Sequence, residues 1–198
     1  MPDIKEVMNP QDRFRQLFHD NFRALARYAM RRGLSDHDAD DLIASIFEVA
    51  WRRIEDVPEG EEGVLWLYGV AFNQLRNARR SSRRVGRLTS RLSVVTTMPA
   101  PLDPEDISVE TILFAVKSLN DDDREVLLLF IGEGLAAVQV GAVLGCTEAT
   151  ARSRLFRARA RLAGVLGLDS AQRGSSAGHV VGVVNINETI EDRSFTDE

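Results

Sequence analysis

Cysteine is nearly absent. The single Cys146 excludes an intramolecular disulfide framework. Histidine is scarce as well: His19, His37 and His179 are too scattered to form a metal site, and Cys146 has no second thiolate to join. No metal and no cofactor are therefore expected. Long apolar runs are missing; residues 126–131 (VLLLFI) are far shorter than the roughly 20 apolar residues that span a bilayer, so no membrane insertion is expected. The first residues carry Asp3 and Glu6 without an apolar core, unlike a signal peptide, which makes the cytoplasm the expected location. Convergent Ser, His and Asp side chains, metal-ligand spacings and a Gly-rich phosphate loop are all wanting, so the chain reads as a protein without enzymatic activity.

Acid is missing from two stretches where arginine is dense. Residues 76–91 hold Arg76, Arg79, Arg80, Arg83, Arg84, Arg87 and Arg91, and residues 149–165 hold Arg152, Arg154, Arg157, Arg159 and Arg161. Acids gather instead in 36–62, in 103–125 and beyond 187, and the chain as a whole carries a net charge of −5. Partners respond to the local field rather than to the sum, so two basic surfaces on an acidic protein suit phosphate contact. A solvated helix face is the plainer reading of either stretch taken alone.

With 198 residues, 44% of them hydrophobic and 28% charged, the chain has the composition of an ordinary globular protein and room for one medium or two small domains. Residues 11–85 are helical in pattern. Phe14, Leu17, Phe18, Phe22, Leu25 and Ala29 recur at three- and four-residue steps, and Gly33 stands where a helix would end. Residues 35–38 offer caps for a second helix carrying Leu42, Ile43, Ile46, Phe47, Ala50 and Trp51. Residues 56–63, with Pro58 and Gly60, read as a loop, and a third helix starts near Val64 and runs into the first arginine stretch. Residues 86–107 contain three of the six prolines and little periodic apolar content, which predicts a flexible tether. A second helical module follows over 108–167, then a tail over 168–198. The expected fold is all-α, two small helical domains joined by a linker.

The second module has the spacing of a helix-turn-helix. A helix over 109–119 is followed by one over 124–132 capped by residues 120–123, then a helix over 136–144, a tight turn at Gly145, Cys146 and Thr147, and a last helix from Glu148 to about Leu166. A steep crossing needs a small residue, met by Gly141, and the turn needs one that tolerates positive φ, met by Gly145. Val140, Leu144, Cys146, Ala151 and Leu155 would form the apolar wedge, with Cys146 as apolar filler. Thr147 would cap the last helix, leaving Glu148, Ala149, Arg152, Ser153, Phe156 and Arg157 outward. That face suits base edges and phosphates in duplex DNA.

Residues 119–129 (LNDDDREVLLL), 133–135 (EGL), 144–147 (LGCT) and 151–159 (ARSRLFRAR) closely resemble region 4 of the extracytoplasmic-function sigma factors of bacterial RNA polymerase. Residues 40–53 resemble region 2.2, and residues 66–73 with the arginine stretch resemble regions 2.3 and 2.4. The resemblance covers about residues 12–165. It implies that residues 108–167 bind the −35 element as duplex, through Arg152, Ser153, Phe156 and Arg157 with Thr147 and Glu148 at the helix start. It implies that residues 11–85 bind the melted −10 strand through Val70, Asn73, Arg76, Asn77 and the basic track that includes Arg80, with the loop at 56–63 helping to capture an extruded base. The helix carrying Asp41, Leu42, Phe47 and Trp51 would dock on the clamp helices of the polymerase largest subunit, while region 4 meets the flap of the second largest. An anti-sigma partner is implied too.

The sequence departs from the family in places. Ala44 and Ser45 stand where Gln and Glu are common, Gly141 replaces the usual Ala at a helix cost of about 0.5–1 kcal/mol, and the tail after 167 has no counterpart. Trp51 reads as a core anchor, whereas Trp66 suits either core or a stacking platform. The acids of 36–41 read as helix caps and as a docking surface for a basic partner. Val180, Val181, Val183 and Val184 suit a strand, a partner-binding segment or a tail equally. The rival function is a stand-alone helix-turn-helix regulator with a sensing or dimerising N-terminal module.

Overall fold

The computed structural model describes residues 9–89 and 109–166. The expected tether from residue 90 to 107 and the tail from 168, including the valines of 180–184, lie outside the described residues. Every described element is a helix, in agreement with the all-α expectation. The chain divides into two compact units, and the helices on either side of residue 91 are taken in turn.

Helix α1 (Pro10–Arg31) opens on Asn9, whose side chain accepts from the Asp12 amide at 2.9 Å, with Pro10 at the first helical position. Proline fits there because its missing N–H would have no intrahelical partner. The helix closes where Gly33 turns to φ 73° and the Leu34 amide reaches back to the Ala29 carbonyl. Helix α2 (Asp36–Arg52) is capped by Ser35, which accepts from the Asp38 amide at 3.2 Å. After a 3-10 turn at Ile54–Asp56 comes α3 (Glu61–Thr89).

α3 is longer at both ends than the sequence pattern predicts. It begins three residues before Val64, because Glu61 and Glu62 suit the positive end of the helix dipole. It also takes in residues 86–89, expected in the tether, since the arginines before them are good helix formers.

The core of this unit is built on Leu25, Tyr28, Ile46 and Leu67, all essentially solvent-free. Tyr28 of α1 stacks on Tyr68 of α3, centroids 5.1 Å apart, and the Arg32 guanidinium lies 3.2 Å from the Tyr28 centroid. A cation over an aromatic face contributes most where water is excluded, and Arg32 is itself buried. Between α2 and α3 the Ser45 hydroxyl meets the Gln74 amide. Ser45, which departs from the family, thus serves an internal tie.

Beyond residue 108 come α4 (Val109–Ser118), α5 (Asp121–Leu127), α6 (Ala137–Leu144) and α7 (Glu148–Val165). Asn120 caps α5 by accepting from the Asp123 amide at 3.0 Å. Arg124 turns back and donates to the carbonyls of Val116, Lys117 and Leu119, closing the C-terminal end of α4. The helix expected over 124–132 starts earlier, at Asp121, and its end widens into a π turn at Leu128–Gly132, with the Glu133 amide bonded to the Leu128 carbonyl at 3.0 Å.

The turn between α6 and α7 is made by Gly145 at φ 65°, a conformation that costs other residues because of their Cβ. The Cys146 amide returns to the Gly141 carbonyl at 2.9 Å. Val140, Ala151 and Leu155 are buried as the wedge requires, whereas Leu144 and Cys146, at the rim, are only half-buried. Gly141 is where the chain passes closest: a Cβ there would sit 2.8 Å from the Cys146 carbonyl oxygen. Gly141→Ala should therefore lower the thermal midpoint. Overpacking against backbone costs about 1–3 kcal/mol, more than the roughly 0.5–1 kcal/mol of helix propensity regained. A calorimetric scan showing a higher midpoint would mean that the turn absorbs the methyl.

Candidate nucleic-acid interface

Thr147 starts α7 as the sequence predicts, its hydroxyl accepting from the Thr150 amide at 3.3 Å. Glu148, Ala149, Arg152, Ser153, Phe156 and Arg157 are all exposed. Phe156 is decisive, because it is 74% exposed in the middle of an arginine face, where nothing about folding calls for a phenyl ring. Arg152 Nε and Nη2 lie 2.8 and 2.6 Å from the same Glu148 oxygen, one turn back, which aims the guanidinium along the helix start. Arg157 donates from Nε to the Ser153 carbonyl at 3.3 Å.

The arginines of α7 do not act as one set. Arg159 lies over the Phe130 ring, 4.5 Å from its centroid, and its buried Nε has no hydrogen-bond partner among the described residues. Desolvation lowers its pKa from the ordinary arginine value. Arg161 pairs with Asp123 of α5, whose side chain is almost fully buried. The exposed face thus rests on Arg152 and Arg157, while Arg159 and Arg161 turn toward α5. Sequence reasoning treated Asp123 only as a helix cap and passed over Phe130. A buried acid becomes visible only when the helix that covers it is known.

On α3, Val70, Asn73, Asn77 and Arg80 follow at helical steps, so they share one side; Val70 is half-buried and the other three are exposed. Asn73 donates from Nδ2 to the Gly69 carbonyl at 2.9 Å and accepts at Oδ1 from Arg76 at 3.0 Å. A guanidinium only donates and a carbonyl only accepts, so the two partners together fix which way the amide points. Arg76 is itself held over Phe72, 5.1 Å from the ring centroid. These two bonds use one amide N–H and one lone pair of Asn73, leaving one of each. The side chains of Arg83, Arg84 and Arg87 and all of Arg91 lie outside the described residues. Trp66 is half-buried, with the Arg53 guanidinium 5.7 Å from its ring centroid.

On α2 the expected docking residues separate. Asp41 and Trp51 are on the surface, but Leu42 and Phe47 are only 7% and 4% exposed and belong to the core, because their positions face α1 and α3. Trp51, expected in the core, is 45% exposed and meets Phe14 edge-on, centroids 5.2 Å apart. The outer side of α2 is formed by Asp41, Ala44, Glu48 and Trp51. Beside it, exposed Phe18 and Phe22 of α1 continue the aromatic strip, with Phe18 4.6 Å from Phe47. Among the described residues no helix is long and apolar enough to cross a membrane.

Comparison with known proteins gives the same pattern. The Sigma-70 region 2 model matches residues 17–85, and the Sigma-70 region 4 model matches residues 110–162. The RNA polymerase sigma factor CarQ of Myxococcus xanthus is 30% identical over 158 residues, covering 79% of this chain and 91% of that protein. The RNA polymerase sigma factor CnrH of Cupriavidus metallidurans is 28% identical over 173 residues, covering 81% and 90%. A structure of CnrH in complex with the cytosolic domain of CnrY aligns with a TM-score of 0.54 at 25% identity, over 81% of this chain and 91% of that one. The sigma factor RpoE in complex with the anti-sigma factor NepR from Bartonella quintana aligns with a TM-score of 0.61 at 24% identity, over 79% and 98%, a likeness of fold.

Proposed function

Because the chain belongs to the extracytoplasmic-function family of RNA polymerase sigma factors, we propose that it binds core RNA polymerase and directs promoter-specific initiation. It is a non-enzymatic factor of the cytoplasm. Residues 11–85 form its region 2, residues 86–107 a tether, residues 108–167 its region 4, and residues 168–198 a tail whose role is left unassigned. Region 4 reads the −35 duplex with Arg152, Ser153, Phe156 and Arg157, and Thr147 and Glu148 set the start of the reading helix. Region 2 holds the melted −10 strand on Asn73, Asn77, Val70, Arg76 and Arg80.

One observation carries the reading: the same chain presents an exposed face of arginines and Phe156 on α7 and a separate face of amides and arginines on α3. A stand-alone regulator needs only the first. Polymerase contact falls to the exposed side of α2, with Asp41 and Trp51 on the clamp helices and Leu42 and Phe47 holding the helix from beneath. Region 4 meets the flap of the second-largest subunit. Family membership, and the complexes formed by CnrH and by RpoE, support control by an anti-sigma protein.

Reconstitution with purified core polymerase tests this. The expected result is co-purification with core enzyme, followed by specific open-complex formation on promoter DNA, read by permanganate reactivity of unpaired thymines. Failure to associate with core enzyme, combined with tight duplex binding by the chain alone, would sink the proposal in favour of a stand-alone regulator.

A further inference from the structure

Arg159 and Arg161, toward the end of α7, meet Phe130 and Asp123, unlike Arg152 and Arg157. We propose that Asp123 and Phe130, through Arg161 and Arg159, are positioning residues that set the rotation and register of α7 against α5. This rests on the −35 reading of α7 given above.

Four observations support it. Asp123 is buried, yet its carboxylate takes both the Arg161 guanidinium and the Asn120 side-chain amide. Its charge is thereby compensated, as burial of a carboxylate requires. Asn120 also caps α5 through the Asp123 backbone amide, so the pair is anchored to the start of that helix. At the other end of α5, Phe130 lies in the π turn and supports Arg159. The two attachments are seven residues apart on one helix, about 10 Å along its axis.

Ala151, Leu155, Ala158 and Leu162 seat α7 by apolar packing, which is not directional; two polar attachments at that separation on the partner fix its rotation within that seat. Base contacts tolerate little displacement, because bidentate hydrogen bonds need distance and angle together. The exposed residues Arg152 and Phe156 are about one to two and a half turns from these anchors, so a small rotation at Arg159 or Arg161 is carried to the reading face through the stiff helix. Phosphate contacts made by flexible arginine side chains are more forgiving.

The test uses holoenzyme assembled from core polymerase and full-length chain carrying Asp123→Asn, Arg161→Met or Phe130→Leu. The last keeps apolar bulk and removes only the π face beneath Arg159. The probe is a duplex bearing the upstream element selected from a random library by wild-type holoenzyme, compared with the same duplex scrambled at that element. Each variant should lose about tenfold in preference for the selected element, the scale of one well-made base contact. The slope of log affinity against log salt should stay unchanged. Asp123→Asn combined with Arg161→Met should lose no more than either alone.

If Arg161 held a phosphate instead, Arg161→Met would lower the salt slope by about 0.9 and leave the preference intact, overturning the inference. A fall in thermal midpoint with neither quantity changed would overturn it too, as a purely structural role. Arg152→Ala run alongside separates the two levels. If it also keeps the preference, the assigned reading face is wrong; if it alone loses the preference, only the positioning role falls.

Discussion

Arg152→Ala should abolish preference for the upstream promoter element while leaving the protein folded. A guanidinium bidentate to guanine is worth about 1–3 kcal/mol of discrimination, or roughly 5- to 150-fold between the right and wrong base. Arg152 is exposed in the second turn of α7, and Glu148 draws its guanidinium toward the helix start. The pair is solvent-exposed, so its loss adds little to unfolding. Thermal midpoint and recognition should therefore come apart, the first nearly unchanged and the second greatly reduced. Arg80→Ala on α3 makes the contrast: a backbone contact weakens binding evenly across sequences and reduces the salt slope. Binding of wild-type and variant holoenzyme to selected and scrambled duplexes measures both. An unchanged preference in Arg152→Ala would place the reading face elsewhere.

The largest effect on stability is expected at Tyr28. Its ring is wholly buried, stacked on Tyr68 and covered by the Arg32 guanidinium, so one side chain joins α1 to α3 and holds a buried cation. Truncation to alanine removes the ring and leaves a cavity that the surrounding helices close only partly. Such changes cost about 3–5 kcal/mol, a large part of the roughly 5–15 kcal/mol that holds an ordinary domain together. The loss exceeds a simple cavity term if Arg32 is left buried without its aromatic face. Both tryptophans, Trp51 and Trp66, precede residue 91, so urea unfolding followed by tryptophan fluorescence reports on this unit selectively. The transition of Tyr28→Ala should move to much lower urea, and Tyr28→Phe, which keeps the stack and opens no comparable cavity, should lose far less. A Tyr28→Ala midpoint like that of a surface variant would mean that the stack does not carry the unit.

The placement of Trp51 shows where sequence reasoning reaches its limit. Its spacing on α2 fits either the core edge or the surface, and the packing of α1 decides between them: Phe14 meets the ring edge-on, and 45% of the residue stays exposed. The same holds for Leu42 and Phe47, which share a helix with the exposed Asp41 but turn toward α1 and α3. Gly141 looks from the sequence like a weak point in a helix, yet a Cβ there would sit 2.8 Å from the returning Cys146 carbonyl oxygen, so a larger residue forces the turn to shift. The arginine stretch of α7 looks uniform until Asp123 and Phe130 draw two of its members away.

What the sequence determined by itself is what neighbours along the chain decide. Asn9, Ser35, Asn120 and Thr147 cap the helices that follow them, Gly145 makes the turn, and the exposed face of α7 follows from its period, because each of these depends on contacts within about one helical turn. The opposite case is any feature set by residues distant in sequence: which side of α2 is covered, where α5 widens, and which arginines remain for DNA. Those depend on how helices meet, and a linear pattern specifies the apolar side of a helix without specifying what will lie against it. Tertiary structure alone therefore separated, among five similar arginines, Arg152 and Arg157, which face outward from α7, from Arg159 and Arg161, which meet Phe130 and Asp123.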